Sequence, residues 1–220
     1  MKNFKPSMIG IMCKEIENPE NNNLPNLNIS HVVRGRETRP DHRVTYFPDN
    51  NILEGKKVIP EKIVLKRWRK REFVHSVARG FRLSPNFWRA IGIALGNNAK
   101  KIKSLNETGI EISFTKHQKA LQIKKFKTQS ATNLIEVFRS LEIHQLQLIL
   151  DRHLDPDRMD KYGTPDLFLF TSHKTTHAIS RACFVEVKRP NEPLSSDQIN
   201  EINFLRNIGL KSCVFRLIEA

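Results

Sequence analysis

The last sixty residues of this 220-residue chain carry its clearest hydrophobic pattern. Residues 167–170 (LFLF) are wholly apolar, which predicts a strand buried on both faces. Residues 182–188 (ACFVEVK) and 213–218 (CVFRLI) predict two further strands. The polar residues 171–180, between the first two strands, predict a hairpin loop, so these strands are expected to pair in antiparallel fashion.

A helix is predicted between the second and third of these strands. Ser195 and Gln198 have the spacing of a capping box at its start, and Gly209 ends it. Its apolar residues recur at helical spacing: Ile199, Ile202 and Leu205. A strand, a helix and a strand in this order predict a right-handed parallel crossover, which places the helix against one face of the sheet.

Upstream of this unit, apolar residues at helical spacing predict further helices. One helix starts at Pro60. Its inward residues are Ile63, Val64 and Trp68. A second helix has Ser84 as its cap and Pro85 in its first turn, and it ends at Gly96. Two more helices are predicted from Ser130 onward, before the α/β unit begins.

The remaining segments show weaker patterns. Residues 1–31 are rich in Asn, Pro and Glu without periodicity, which indicates a flexible leader. Residues 32–53 contain short β-like pieces (HVV and RVTYF), and residues 109–114 (GIEISF) alternate as a strand would. The predicted organisation is therefore a leader, a basic and mainly helical region over 32–129, and an α/β core over 130–220.

The net charge of +14 is concentrated in the middle of the chain. Residues 56–103 carry 14 basic and 2 acidic side chains, whereas residues 130–220 are nearly neutral. Because such a segment repels itself unless an anion neutralises it, we expect a phosphate backbone as its partner. A solvated surface helix is the alternative. The residues expected to bind nucleic acid are Lys66, Arg67, Arg69, Lys70, Arg71 and Arg79.

Composition argues against several classes of protein. No run of about 18 apolar residues is present, so a transmembrane helix is not predicted. The N-terminal residues lack the continuous apolar stretch of a secretory signal. Three cysteines are too few for a disulfide framework or a cysteine-based zinc site. We therefore expect a cytoplasmic or nucleoid-associated protein with no membrane partner.

Charged residues interrupt the apolar strands at three positions. Asp166 stands at the start of the first strand, while Glu186 and Lys188 lie two apart on the second and project to the same face. Pairing of the strands would bring the carboxylates of Asp166 and Glu186 together, and two buried carboxylates repel. A divalent cation relieves that repulsion, and oxygen ligands suit Mg²⁺ or Mn²⁺. The alternative is a structural ion pair between Glu186 and Lys188, which leaves Asp166 unexplained.

A Pro-Asp pair followed by Glu-x-Lys resembles the catalytic pattern of PD-(D/E)XK nucleases, and residues 163–218 resemble the VRR-NUC domain of that superfamily. The matching positions are Gly163, Pro165, Asp166, Leu167, Val185, Glu186, Val187, Lys188, Pro190, Leu194, Ser195, Gln198 and Gly209. Among VRR-NUC proteins, residues 44–160 look most like the Fanconi-associated nuclease family. The resemblance implies a restriction-endonuclease-like α/β fold, in which helices flank a mixed sheet, with a basic helical region N-terminal to it.

The resemblance also implies a role for each residue of the site. Asp166 and Glu186, together with the backbone carbonyl of Val187, would bind one or two Mg²⁺ or Mn²⁺ ions. Lys188 would orient or deprotonate the attacking water and stabilise the developing charge on the phosphate. Gln198 would steady Lys188 or the substrate. Capping of the helix alone is the alternative role for Gln198.

The sequence departs from the family at one metal ligand. The family has a Glu before a Gly, in a His-x-Glu-Gly motif soon after the basic helix, whereas this chain has Arg79 before Gly80. Glu72 or Glu54 would then supply the missing carboxylate by a different route, and we take Glu72 as the candidate.

The predicted function is a metal-dependent deoxyribonuclease that hydrolyses phosphodiester bonds, with structure-selective cleavage of branched or flapped DNA in repair. A second hypothesis is an antibacterial DNA-degrading toxin, secreted by a specialised system and held in check by an immunity protein. A third is an inactive module that only binds nucleic acid, which the loss of the family's Glu at Arg79 favours.

Overall fold

The computed structural model describes residues 32–38, 44–48, 59–123, 128–158, 163–189 and 192–219. In chain order the elements are β1 (Val32–Thr38), β2 (Val44–Pro48), α1 (Pro60–Arg69), β3 (Ser76–Arg82), α2 (Phe87–Leu95), α3 (Ala99–Lys103), α4 (Glu107–Lys116), α5 (Thr128–Ser140), α6 (Ile143–Leu154), β4 (Leu167–His173), β5 (Ile179–Lys188), α7 (Ser196–Asn207), β6 (Ser212–Arg216) and β7 (Ile218–Glu219).

The central sheet has four strands in the order β3-β4-β5-β6. Strand β4 pairs antiparallel with both β3 and β5, and β5 pairs parallel with β6. Helix α7 connects the two parallel strands, so the predicted crossover is confirmed. A mixed sheet flanked by helices is the fold class that the sequence predicts.

Strand β4 is apolar along its first half because both faces of the sheet are covered. Leu167 and Leu169 belong to one core cluster, together with Ile63 and Trp68 of α1. On the other face, Phe168 and Phe170 belong to a second cluster, which also holds apolar residues of helices α2 to α7: Trp88, Ile102, Ile110, Val137, Ile149 and Leu205. The sheet therefore separates α1 from the helical layer.

Strand β3 is not among the predicted elements. Its sequence (SVARGFR) alternates small or apolar residues with basic ones, and only Ala78 and Gly80 are buried. The strand packs closely at Gly80, where a Cβ would lie 2.7 Å from Leu169 Cδ2 and 2.8 Å from the Phe168 carbonyl. Glycine at this position thus lets the edge strand approach β4.

The predicted strand over 109–114 is wrong, because these residues form part of α4. The side chain of Asn106 caps the helix by accepting a hydrogen bond from the Gly109 N–H at 2.8 Å. Ile110 and Phe114, four residues apart, are buried on one helical face, and Ile112 between them is 64% exposed. The apparent alternation came from that exposed isoleucine.

Two predicted boundaries shift by a few residues. Helix α2 begins at Phe87 with Asn86 at its N-cap position, not at Ser84 and Pro85, although it ends at Gly96 as predicted. The predicted loop over 171–180 is shorter, because β4 continues to His173 and β5 begins at Ile179. Helices α1, α5 and α6 lie where the apolar spacing predicts them.

A smaller sheet has the order β2-β1-β7, and its first two strands match the short β pieces predicted over 32–53. The predicted leader over 1–31 lies outside the described residues. The division between residues 129 and 130 stays a prediction, and the pairing of β3 with β4 crosses it. In the part of the chain that the structure describes, no helix is long and apolar enough to cross a bilayer.

Candidate active site

Asp166 is fixed at the point where β3, β4 and β5 meet. Its backbone carbonyl accepts a hydrogen bond from the Leu83 N–H at 2.8 Å, which extends the β3–β4 pairing by one residue. Its side-chain Oδ2 accepts a hydrogen bond from the Val187 N–H at 2.8 Å. The Asp166 carboxylate is therefore held against β5, next to Glu186 and Lys188.

Glu186 and Lys188 are each only 3% exposed. The Lys188 ammonium lies 3.3 Å from Glu186 Oε1 and 3.6 Å from Glu192 Oε1. It also donates a hydrogen bond to Gln198 Oε1 at 2.7 Å. The buried ammonium of Lys188 thus lies close to three side chains that carry acceptor oxygens.

Gln198 makes the contacts that both of its predicted roles require. Its backbone N–H and its side-chain Oε1 complete the capping box with Ser195. The same Oε1 accepts from Lys188, and Nε2 donates to Glu186 Oε1 at 2.5 Å. The start of α7 is therefore the support that fixes the glutamate and the lysine relative to each other.

The chain before Asp166 packs closely against α7. A Cβ on Gly163 would lie 2.6 Å from Glu201 Cβ and 2.8 Å from the Asp197 carbonyl. Glu201 is fully buried. Its carboxylate accepts hydrogen bonds from three basic side chains of α6 and the following turn: Arg152 Nε at 3.1 Å, Arg158 Nη2 at 3.0 Å and His153 Nε2 at 2.8 Å. This ion-pair network, here called the Glu201 network, anchors the helix that carries Gln198.

The two carboxyl groups of the site hold their protons unusually strongly. Burial raises the pKa of Asp166 to about 6, the Val187 hydrogen bond opposes the rise, and the charge of Glu61 adds to it. Burial raises the pKa of Glu186 to about 8, and the neighbouring Asp166 raises it further, whereas Lys188 lowers it. Because the charge of Asp166 raises the pKa of Glu186, the two carboxyls lie close enough to share one cation.

Glu61 of α1 is a third carboxylate of the site that the sequence reading missed. Its charge raises the pKa of Asp166, and its Oε1 lies 3.5 Å from Arg82 Nη2. Its Oε2 is buried and has no hydrogen-bond partner among the described residues. The sequence showed Glu61 only as a favourable acid in the first turn of a helix, since its neighbour Asp166 is more than a hundred residues away along the chain.

The predicted upstream ligand Glu72 does not join this group. Glu72 is exposed and forms an isolated β-bridge with Val77, and no described interaction links it to Asp166 or Glu186. Glu54 lies outside the described residues. Arg79, at the position of the family's glutamate, is exposed on β3, and its carbonyl accepts a hydrogen bond from Trp68 Nε1 at 2.6 Å.

The predicted nucleic-acid-binding residues of α1 and its C-terminal turn fall into two groups. Lys66 and Lys70 are exposed. Arg69 donates a hydrogen bond to the Gly80 carbonyl at 2.5 Å. Arg67 and Arg71 are partly buried, and desolvation lowers the pKa of each guanidinium. The lysines are therefore freer to meet a phosphate than the arginines are.

The donor set suits a hard divalent cation, although no three His, Cys, Asp or Glu side chains in the described residues are already arranged as a metal cage. Glu61 keeps a buried oxygen without a hydrogen-bond partner among the described residues, and burial raises the pKa values of Asp166 and Glu186 although Lys188 and Arg82 lie nearby, so further positive charge would stabilise the three carboxylates. Carboxylate and carbonyl oxygens are the ligands that Mg²⁺ and Mn²⁺ prefer.

Comparison with known proteins bears on the family and the fold of this chain. A family model described as the VRR-NUC domain matches residues 103–216. Two crystal structures of paFAN1, bound to 5′-flap DNA with a gap and with flaps of two and one nucleotides, match the fold with a TM-score of 0.52 and 15% identity. The matches cover 73% and 75% of this chain but 35% and 36% of those chains. No curated protein matches the sequence.

The chain thus spans about a third of the length of the paFAN1 structures, and at this identity they show a shared fold. That fold is the restriction-endonuclease-like core that the sequence predicts. Because the family model covers more than half of the 220 residues, this protein belongs to the VRR-NUC family of nucleases.

Proposed function

We propose that this protein is a metal-dependent deoxyribonuclease that cleaves phosphodiester bonds in branched or flapped DNA. The observation that carries the proposal is the arrangement of a half-buried Asp166 beside the buried Glu186 and Lys188 where β4 and β5 meet. Two carboxyls with raised pKa values next to a fixed ammonium are costly as a purely structural device. The same three groups suit phosphodiester hydrolysis.

Asp166 and Glu186, with the Val187 carbonyl, would hold Mg²⁺ or Mn²⁺, and the unpartnered oxygen of Glu61 would add a third carboxylate. When bound, such an ion activates a water and neutralises charge on the phosphate. Glu61 replaces the ligand that this chain lacks at Arg79. This replacement supports an active enzyme over the hypothesis of an inactive binding module.

Lys188 would orient the attacking water and stabilise charge on the phosphate. Its ammonium has three donors and no acceptor, and Gln198 and Glu186 already direct it. Lys188 would therefore act as a fixed positive charge, a preorganised form of electrostatic stabilisation. Gln198 would act through Lys188 and not on the substrate.

DNA is the proposed substrate because the helix that carries Glu61 also carries exposed lysines and because both paFAN1 structures are bound to 5′-flap DNA. Cleavage at a flap implies a role in repair. The alternative of a secreted toxin with an immunity protein rests on the sequence alone. It predicts growth arrest on expression, which a repair nuclease does not require.

The test is cleavage of matched 5′-flap, forked, duplex and single-stranded DNA with Mg²⁺ or Mn²⁺. We expect the wild type to cut branched DNA fastest, and Asp166→Asn, Glu186→Gln and Lys188→Ala to lower the rate by at least about a hundredfold. Glu107→Gln, at an exposed acid in the first turn of α4, is the matched control and should keep full activity. Equal rates in the wild type and all variants, or no cleavage with either metal, would disprove the proposal.

A further inference from the structure

Arg82 brings a second cation to the site from the strand opposite Lys188. It is the last residue of β3 and pairs with Leu167 of β4, and the next N–H along the chain bonds to the Asp166 carbonyl. Strands β3 and β5 flank β4, with about 10 Å between their axes. Arg82 and Lys188 therefore stand on either side of Asp166.

The guanidinium of Arg82 is weakly held. Its described contact is Glu61 Oε1 at 3.5 Å, the outer limit of a hydrogen bond. The side chain is 45% exposed, whereas that of Lys188 is 4% exposed and surrounded by acceptors. A guanidinium has five N–H donors, so most of those of Arg82 have no protein acceptor among the described residues.

Pairing with Glu61 does not by itself explain Arg82. A half-exposed ion pair contributes little to stability, and this one leaves the other oxygen of Glu61 buried without a partner among the described residues. The charge of Arg82 nevertheless reaches the reaction centre, because it lowers the pKa of Asp166. The planar guanidinium of Arg82 lies beside the carboxylates, is partly exposed, and has N–H donors without a protein acceptor among the described residues. A guanidinium of this kind can bind a phosphate in bidentate fashion.

We propose that Arg82 binds a phosphate of the cleaved DNA strand, at the scissile bond or one nucleotide from it. In the DNA-free protein, Glu61 accepts the hydrogen bond that the phosphate oxygens take over on binding. The exchange releases Glu61 Oε1 at the moment when the substrate reaches the carboxylates. This assignment rests on the proposed nuclease function, since it requires DNA at the site.

A binding experiment tests the contact without requiring cleavage. Flap DNA is prepared with a single neutral methylphosphonate at each position around the junction, and its affinity is measured in Ca²⁺ for the wild type and Arg82→Ala. We expect one or two positions at which the neutral linkage weakens wild-type binding by about tenfold. In Arg82→Ala, unmodified DNA should bind about tenfold more weakly, with no further loss at those positions. Arg82→Lys should fall between the two proteins.

Arg139→Ala is the matched control, because Arg139 is also an exposed arginine next to a glutamate, at 3.8 Å from Glu136. It should show the wild-type pattern of losses. If each neutral linkage weakens DNA binding by Arg82→Ala as much as it weakens binding by the wild type, the two effects are additive. Arg82 then does not contact a phosphate, and the proposal is wrong. The proposal is also wrong if Arg82→Ala binds DNA as the wild type does and only the stabilisation of the protein by Mn²⁺ changes. Arg82 would then act only on Glu61.

Cleavage by the wild type in Mn²⁺, measured in parallel, separates the two proposals. An active wild type with additive losses in Arg82→Ala removes only the role of Arg82. An inactive wild type removes the nuclease proposal, and the binding pattern still decides whether Arg82 contacts a phosphate.

Discussion

Glu61 lies in the first turn of α1, where a negative charge is favourable because of the helix dipole. That local reason would apply equally to a fully solvated acid. In the structure, one oxygen of Glu61 is buried without a partner and its charge acts on Asp166. The neighbours of a residue, and not its place in a helix, therefore decide whether an acid in the first turn of a helix is a candidate metal ligand.

Replacing Glu61 should weaken metal binding more than it weakens the fold. We expect Glu61→Gln to raise the Mn²⁺ dissociation constant by about tenfold or more, since a carboxylate ligand becomes a neutral amide. The free energy of unfolding without metal should stay within about 0.5 kcal/mol of the wild type. Mn²⁺ titration by calorimetry and urea unfolding in chelator measure the two quantities.

Glu72→Gln is the natural comparison for Glu61→Gln, because Glu72 was the ligand that the sequence suggested and it is exposed. It should leave Mn²⁺ affinity unchanged. A larger loss in Glu72→Gln than in Glu61→Gln would restore the original assignment.

Asp166→Asn should stabilise the metal-free protein at high pH. Because the folded-state pKa of Asp166 is raised from 3.8 to about 6, the folded protein holds a proton that the unfolded chain has already lost. Stability therefore falls as pH rises from about 4 to 6, and the loss is complete above 6. We expect Asp166→Asn to gain about 3 kcal/mol at pH 8 and about half as much at pH 5. Urea unfolding in chelator checks this result, with the exposed Asp157→Asn as a neutral control.

Elements defined by local chemistry could be predicted, and elements defined by distant contacts could not. The capping box at Ser195 and Gln198 and the apolar first half of β4 appear as predicted. Strand β3 could not be found because it lies at an edge and depends on β4 for its pairing. In α4, the exposed Ile112 imitated the alternation of a strand, and only the packing of Ile110 and Phe114 shows the true period.

The Glu201 network joins α6 to α7, and its contribution to the free energy of unfolding should fall in acid. Hydrogen bonds and charges from His153, Arg158 and Arg152 lower the pKa of Glu201 below 4.5, against the effect of its burial. Its contribution is therefore fully present above pH 4.5 and is lost as pH falls through the lower folded-state pKa. Desolvation also lowers the pKa of His153, so protonation of the unfolded chain destabilises the fold in the same acidic direction.

Glu201→Gln should cost about 3 kcal/mol at pH 7, because it removes the buried charge to which Arg152 and Arg158 are hydrogen-bonded. The gap from the wild type should be similar at pH 5 and should narrow below pH 4.5. Glu136→Gln is the control, since Glu136 is buried with one exposed partner at 3.8 Å, and it should change stability little. Urea unfolding at pH 7, 5 and 4 measures the series, and a gap that widens in acid would contradict the assignment.

At the scale of the whole molecule, the sequence predicted the half of the proposed site that lies on neighbouring strands, and the structure brings those residues together. Asp166, Glu186, Lys188 and Gln198 all belong to the last sixty residues, and their spacing followed from strand and helix periodicity. The groups from α1 and β3, Glu61 and Arg82, reach the site only because the chain folds α1 over one face of the sheet. No pattern along the chain records that contact.

The concentration of positive charge predicts α1 as the DNA-binding element. The structure shows which basic side chains of α1 are exposed. Lys62, Lys66 and Lys70 are exposed and four residues apart, so they follow one face of the helix and the turn after it. Changing all three to Ser should reduce the slope of log affinity against log salt by about 2.7, since each phosphate contact contributes about 0.9. Three exposed lysines on other elements, Lys116, Lys119 and Lys174, give the matched triple variant. Fluorescence anisotropy between about 50 and 200 mM salt compares the two. An equal slope in both variants would mean that the DNA path does not follow α1.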